Sequence, residues 1–122
     1  QDYIARNTSS SIETLRFCDG YGELVYKFDL SSYQDLMVNL DVMQNYLISV
    51  SDHDGDYVEI ATSRDENPEH ITGNANRTQV SVIPSLYGIE GALYVRISNS
   101  FPGQGHGGGI SSFTMVYKEP AE

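Results

Sequence analysis

Alternation of apolar and polar side chains with a period of two runs through most of this chain and constrains its fold more than any other feature. Residues 22–30 set Leu24, Tyr26, Phe28 and Leu30 on one side and Glu23, Lys27 and Asp29 on the other. A strand sends successive side chains to opposite faces, so this rhythm marks a strand with one face buried. Residues 35–42 repeat it, with Leu36, Val38, Leu40 and Val42 opposite Asp35, Asn39 and Asp41. The stretches 45–51, 56–62, 77–83, 92–98 and 110–118 follow, and 12–17 carries a weaker version. Together they predict about eight strands.

Helical signals are nearly absent, since no segment keeps apolar residues at helical spacing for long. Pro84-Ser85-Leu86-Tyr87-Gly88 alone reads as one short turn, with Pro at its start and Gly at its end. Between the strands lie breakers: Asp19-Gly20, Ser31-Ser32, Asp54-Gly55, Gly73-Asn74 and the stretch 102–109. Short strands with one apolar face each bury those faces by stacking two sheets. The expected fold is all-β, a two-sheet antiparallel β-sandwich of jelly-roll type, forming a single module over residues 1–122.

Charge narrows the range of partners. Seven Lys and Arg against seventeen Asp and Glu leave a formal net charge of −10. Nucleic-acid and polybasic membrane-surface binding both depend on clustered cations, so neither is expected. No apolar run approaches the roughly 18 residues of a membrane-spanning helix. Cys18 is the one cysteine, which excludes an internal disulfide and a cysteine metal cage. Gln1-Asp2-Tyr3 is acidic and polar, unlike the start of a secretory signal, and fits a mature chain or a module of something larger. Two glycosylation sequons, at Asn7 and Asn76, are of a kind that chance supplies easily.

The string Ser51-Asp52-His53-Asp54-Gly55-Asp56 admits two readings. Asp52, Asp54 and Asp56 are hard oxygen donors and candidate ligands for calcium. Equally, Asp-Gly between two alternating runs is hairpin chemistry, with flanking acids facing water, and turn logic favours it. The Gly-rich stretch 103–109 leads into a strand and lacks a following Gly-Lys-Ser/Thr, so it is no phosphate loop. It suits a tight turn or a close approach to a ligand, with Phe101 and His106 as its bulky rings.

His53, His70 and His106 lie far apart without zinc spacing, and no nucleophile elbow surrounds any serine. Seventeen acids make some carboxylate pair inevitable, so their number says nothing about glycoside hydrolysis. Catalysis is not expected. Nine tyrosines and no tryptophan form the aromatic complement. Tyr26, Tyr46 and Tyr117 fall on the apolar phase, whereas Tyr21, Tyr33, Tyr57 and Tyr87 fall at strand ends or off it. An exposed Tyr stacks on a sugar ring and hydrogen-bonds through its hydroxyl, although Tyr also simply suits strands. Arg96, on the polar phase between Tyr94 and Ser98, is expected to pair with a cross-strand acid.

Several stretches carry a family resemblance. They are Arg16-Phe17-Cys18-Asp19-Gly20-Tyr21-Gly22 with Leu24-Val25-Tyr26-Lys27-Phe28-Asp29-Leu30, and Asn45-Tyr46-Leu47-Ile48-Ser49-Val50-Ser51 before the Asp-Gly turn and Tyr57. Val82-Ile83-Pro84-Ser85-Leu86-Tyr87-Gly88, Leu93-Tyr94-Val95-Arg96-Ile97-Ser98 and Gly107-Gly108-Gly109-Ile110 complete the set. This pattern resembles the galactose-binding-like jelly-roll modules attached to bacterial polysaccharide-degrading enzymes, over about residues 12–118. The resemblance implies an extracellular, non-catalytic module that binds a polysaccharide or oligosaccharide beside an attached catalytic domain, often with a structural calcium. The absence of Trp departs from relatives that use flat platforms for extended chains. Other relatives only bridge domains, so an accessory module packing on a neighbour is the alternative. Candidate ligand contacts, chosen for loop or strand-end placement, are Tyr21, Asn45, Tyr57, Phe101 and His106.

Overall fold

Each alternating stretch folds as a strand because pairing satisfies its backbone while one face leaves water. A computed structural model of the chain describes residues 4–7, 15–16, 23–71, 77–101 and 108–119. Among these residues nine strands form: β1 (Ile4–Asn7), β2 (Leu15–Arg16), β3 (Leu24–Asp29), β4 (Gln34–Gln44), β5 (Tyr46–Ser51), β6 (Val58–Thr62), β7 (Arg77–Val82), β8 (Ala92–Asn99) and β9 (Gly108–Lys118). Seven match the strong alternating stretches within a few residues, and β2 falls in the weaker one. The addition is β1, four residues too short to display a rhythm.

One sheet runs β1-β9-β4-β7, with β2 also on β9, and the other runs β3-β8-β5-β6. All pairings are antiparallel, and they nest: β5 with β6, β4 with β7, β3 with β8, β2 with β9. A hairpin of four strand pairs, rolled so that the pairs fall alternately in two sheets, is a jelly roll. The expected fold class therefore holds.

The core lies between the sheets. Burial alternates strictly along β8, where Leu93, Val95 and Ile97 have no exposed surface while Tyr94, Arg96 and Ser98 are half-buried on the far side. From the other sheet, β4 adds Leu36, Val38, Leu40 and Val42 to the same apolar cluster. Aromatic rings knit the layers: Phe113 of β9 packs 4.9 Å from Tyr26 and 6.1 Å from Phe28, both on β3. Tyr46 and Tyr117 are buried, as their phase requires.

The chain steps from β4 to β5, and so from one sheet to the other, through a single residue, Asn45. Gln44 adopts a left-handed φ of 55° to make this corner. The Asn45 carbonyl accepts the Ser100 N–H at 3.0 Å, tying the corner to the end of β8. The short turn expected at Pro84 forms as a 3₁₀ segment, Pro84–Tyr87, closed by Gly88 at φ 66°. That φ explains why glycine ends it, since a Cβ disfavours the left-handed region. This segment and a second 3₁₀ turn, Leu30–Ser32, flank one end of the sandwich.

Truncating the fully buried Ile97 to Ala removes core volume on the central pair β5–β8. The expected loss of stability is about 2–5 kcal/mol, measured by urea denaturation. A loss below about 1 kcal/mol would contradict this core assignment.

Candidate ligand-binding face

Because Leu93, Val95 and Ile97 point inward, Tyr94, Arg96 and Ser98 must face outward, and the register identifies their neighbours. Arg96 pairs with Val25 of β3 and with Ser49 of β5, and Ser49 pairs in turn with Glu59 of β6. Tyr94 lies between Lys27 of β3 and Ser51 of β5. The outer face of the four-stranded sheet thus carries two cations, a tyrosine, three serines and a carboxylate. Tyr57, just before β6, supplies a second ring.

Arg96 departs from the sequence expectation. No cross-strand acid holds it among the described residues; its guanidinium instead lies over the Tyr57 ring, 4.4 Å from the centroid. A weakly hydrated planar cation gains from an aromatic face in this way. Lys27 sits more loosely over Tyr94, with Nζ 5.7 Å from the ring centre. The Ser49 hydroxyl and the Arg96 Nε are both buried without a hydrogen-bond partner among the described residues. Native interiors seldom leave such groups unpaired, because removal from water costs about 1–3 kcal/mol each.

Tyr57 is held at its other end as well, donating its hydroxyl to Asp54 Oδ1 at 2.7 Å. Its phenol is pushed up to about 12, first by partial burial and then by that carboxylate, with Arg96 pulling the other way. The ring therefore stays neutral throughout the physiological range.

The β5–β6 hairpin reading of the acidic string is correct in outline and differs in detail. Asp56, rather than Gly55, takes the left-handed conformation, at φ 49°. A Cβ at position 55 would lie 3.2 Å from the His53 ring, a tight contact that the exposed imidazole would relieve by a small shift. Ser51 Oγ donates to the Gly55 carbonyl at 2.6 Å, and the Gly55 N–H reaches the His53 carbonyl at 2.9 Å. Each of the three carboxylates has a side-chain partner. Asp52 meets His53 Nδ1, Asp56 meets Nε2 at 3.0 Å, and Asp54 takes the Tyr57 hydroxyl. Among the described residues no group of three or more His, Cys, Asp and Glu is placed to hold a metal ion. Asp52, Asp54 and Asp56, the candidate calcium ligands, are thus engaged with His53 and Tyr57 in this structure.

Of the five candidate ligand contacts, Tyr21 and His106 lie outside the described residues. Tyr57 lies on the face just described. Asn45 is fully buried at the sheet-to-sheet corner. Its Nδ2 donates to the Ile71 carbonyl at 3.0 Å and its Oδ1 accepts the Ile71 N–H at 2.7 Å, so its amide clamps a loop. Phe101 is buried too, with the Arg64 guanidinium 4.4 Å over its ring and His70 edge-on at 6.3 Å. Both serve the architecture. Sequence reading missed Lys27, Ser49, Tyr94 and Arg96 as a group, although alternation had already put Lys27, Tyr94 and Arg96 on polar faces.

Two concavities lie elsewhere. A groove of about 630 Å³ at the end of the sandwich is lined mostly by apolar groups, among them Leu30, Tyr33, Leu36, Pro84, Ile89 and Val116. A smaller one of about 280 Å³ lies between the acidic turn and Tyr87–Ile89. No helix among the described residues is long and apolar enough to cross a membrane.

Hydrogen bonds from His53 to Asp52 first, and then to Asp56, raise the imidazole above its ordinary 6.5. Folding therefore favours the protonated ring. Its contribution to stability is complete below the unfolded pKa and is lost as pH rises through the higher folded one. An NMR titration should place His53 above 6.5, with Asp52→Asn and Asp56→Asn each lowering it. An unshifted midpoint would contradict the clamp. Calcium should leave the amide resonances of residues 52–57 unmoved, whereas a saturable shift confined to them would restore the cation reading.

Compared with known proteins, the chain matches no family model and no curated sequence.

Proposed function

We propose that this chain is a non-catalytic carbohydrate-binding module that keeps an attached glycan-active enzyme on its polysaccharide, outside the cell. The observation that carries this reading is the outer face of the four-stranded sheet, where Tyr57 and Tyr94 lie beside Arg96 and Lys27. Sugar rings present C–H faces that stack on aromatic side chains, and hydroxyls that need donors and acceptors at the rim. Rings, cations, Ser and Glu on adjoining strands meet both needs. Strands already ordered by a core beneath them lose little freedom on binding, which favours affinity. The jelly-roll architecture agrees with the resemblance of the sequence to galactose-binding-like modules.

A second reading rests on the apolar groove beside Pro84, which suits an accessory module packed against a neighbouring domain. The two readings differ in which surface is occupied and by what.

Affinity electrophoresis in gels containing plant, algal or host polysaccharides separates them. The glycan reading expects retardation in at least one gel. Tyr94→Ala should weaken it about three- to tenfold, in line with about 0.5–1.5 kcal/mol for an aromatic contact. Unretarded migration in every gel would favour the accessory module.

A further inference from the structure

Resting on the glycan reading, we infer that this sheet face takes an acidic sugar, a uronate residue whose carboxylate is held by the Arg96 guanidinium and the Ser49 hydroxyl. Three observations converge on it. Ser49 has no exposed surface, yet it lies on the outer side of β5, because Ile48 and Val50 point into the core. Its hydroxyl and the Nε of Arg96, its registered partner on β8, are the buried side-chain polar atoms left without a partner among the described residues. Both carry a hydrogen to give, and no acceptor meets them. Two donors side by side require a group with several lone pairs, which a carboxylate supplies. The guanidinium edge, with Nε–H and Nη–H in one plane, matches the two oxygens of a carboxylate.

The second observation is electrostatic. In a chain with seventeen acids and seven Lys and Arg, carboxylates abound, yet neither Arg96 nor Lys27 is ion-paired among the described residues. Each lies over a tyrosine ring on the same face instead. Of the nearby acids, Glu23 lies close enough for its charge to raise the Tyr57 pKa, yet it forms no ion pair with Arg96; the others are engaged or distant. Asp54 holds the Tyr57 hydroxyl. Glu59 lies two strands from Arg96, roughly 10 Å across the sheet, and Asp29 is bonded to Ser31.

The third is the surrounding field. Net charge of −10 repels a densely charged polymer at long range. One seat for one carboxylate therefore suits an isolated uronate on an otherwise neutral chain. The Tyr57 ring covers the guanidinium, so seating the carboxylate requires that ring to move aside.

Titrating the chain with D-glucuronate and D-galacturonate, and with D-glucose and D-galactose as matched neutral sugars, tests the assignment. NMR follows the Ser49 and Arg96 amides. Both uronates, or one of them, should bind at least about tenfold more tightly than the neutral counterpart, as charge-assisted bidentate bonding implies. Arg96→Lys, which keeps the charge and loses the planar fork, should weaken uronate binding by a similar factor. Ser49→Ala should weaken it too while leaving the melting temperature unchanged or higher, since the hydroxyl it removes has no partner among the described residues. Neutral sugars bound as tightly as uronates, or variants that bind uronate like the parent, would overturn the assignment while leaving the glycan reading intact. Uronates that do not bind, with a polysaccharide still retarding the chain, would have the same meaning. Failure with every sugar and every polysaccharide would remove both.

Discussion

Burial of one face of each sheet against the other is the constraint on which everything else rests. With β4 and β8 at the middle of their sheets and their inward side chains almost wholly buried, the pleat leaves the alternate residues no choice but the outer surface. A slip of one residue in β8 would bury Arg96 and expose Val95, so the core defines the register as firmly as the hydrogen bonds do. The positions of Lys27, Ser49, Tyr94 and Arg96 relative to one another follow from that. Rolling the chain through nested strand pairs then brings β3, β8, β5 and β6, distant in sequence, into one continuous surface.

What the sequence made legible was the face of each residue; what it concealed was the neighbour. Alternation over 92–98 assigns Arg96 to the polar side without any structure, and the same holds for Lys27. Nothing local reveals that Arg96 registers with Ser49 or that Tyr57 folds onto it, because strand order is a property of the whole chain. Hence the expectation of a cross-strand acid, reasonable for an exposed arginine, fails against an aromatic ring. Asn45 and Phe101 qualify as candidate ligand contacts by their loop or strand-end placement. In a jelly roll, however, the corner between sheets is enclosed, and a polar side chain there must satisfy backbone groups. The acidic turn shows a third limit. Spacing placed three carboxylates within five residues, but their directions depend on φ at Asp56 and on the position of His53.

The outer face and the apolar groove differ in chemistry. The groove is built from side chains that exclude water and suits a protein neighbour. The sheet face combines rings with unpaired donors in a strongly acidic molecule, and suits a ligand that is itself polar and ringed. On the proposed reading, a module tethered to an enzyme uses both kinds of surface, one facing its polymer and one facing its chain.

The measurement that bears most directly on this account is amide chemical-shift mapping during titration with an oligosaccharide that carries a single uronate side group. The account predicts perturbations concentrated on 25–27, 47–51, 57–59 and 94–98, which the register gathers on one face. Perturbations concentrated instead on 33–37 and 83–89, around the apolar groove, would contradict it.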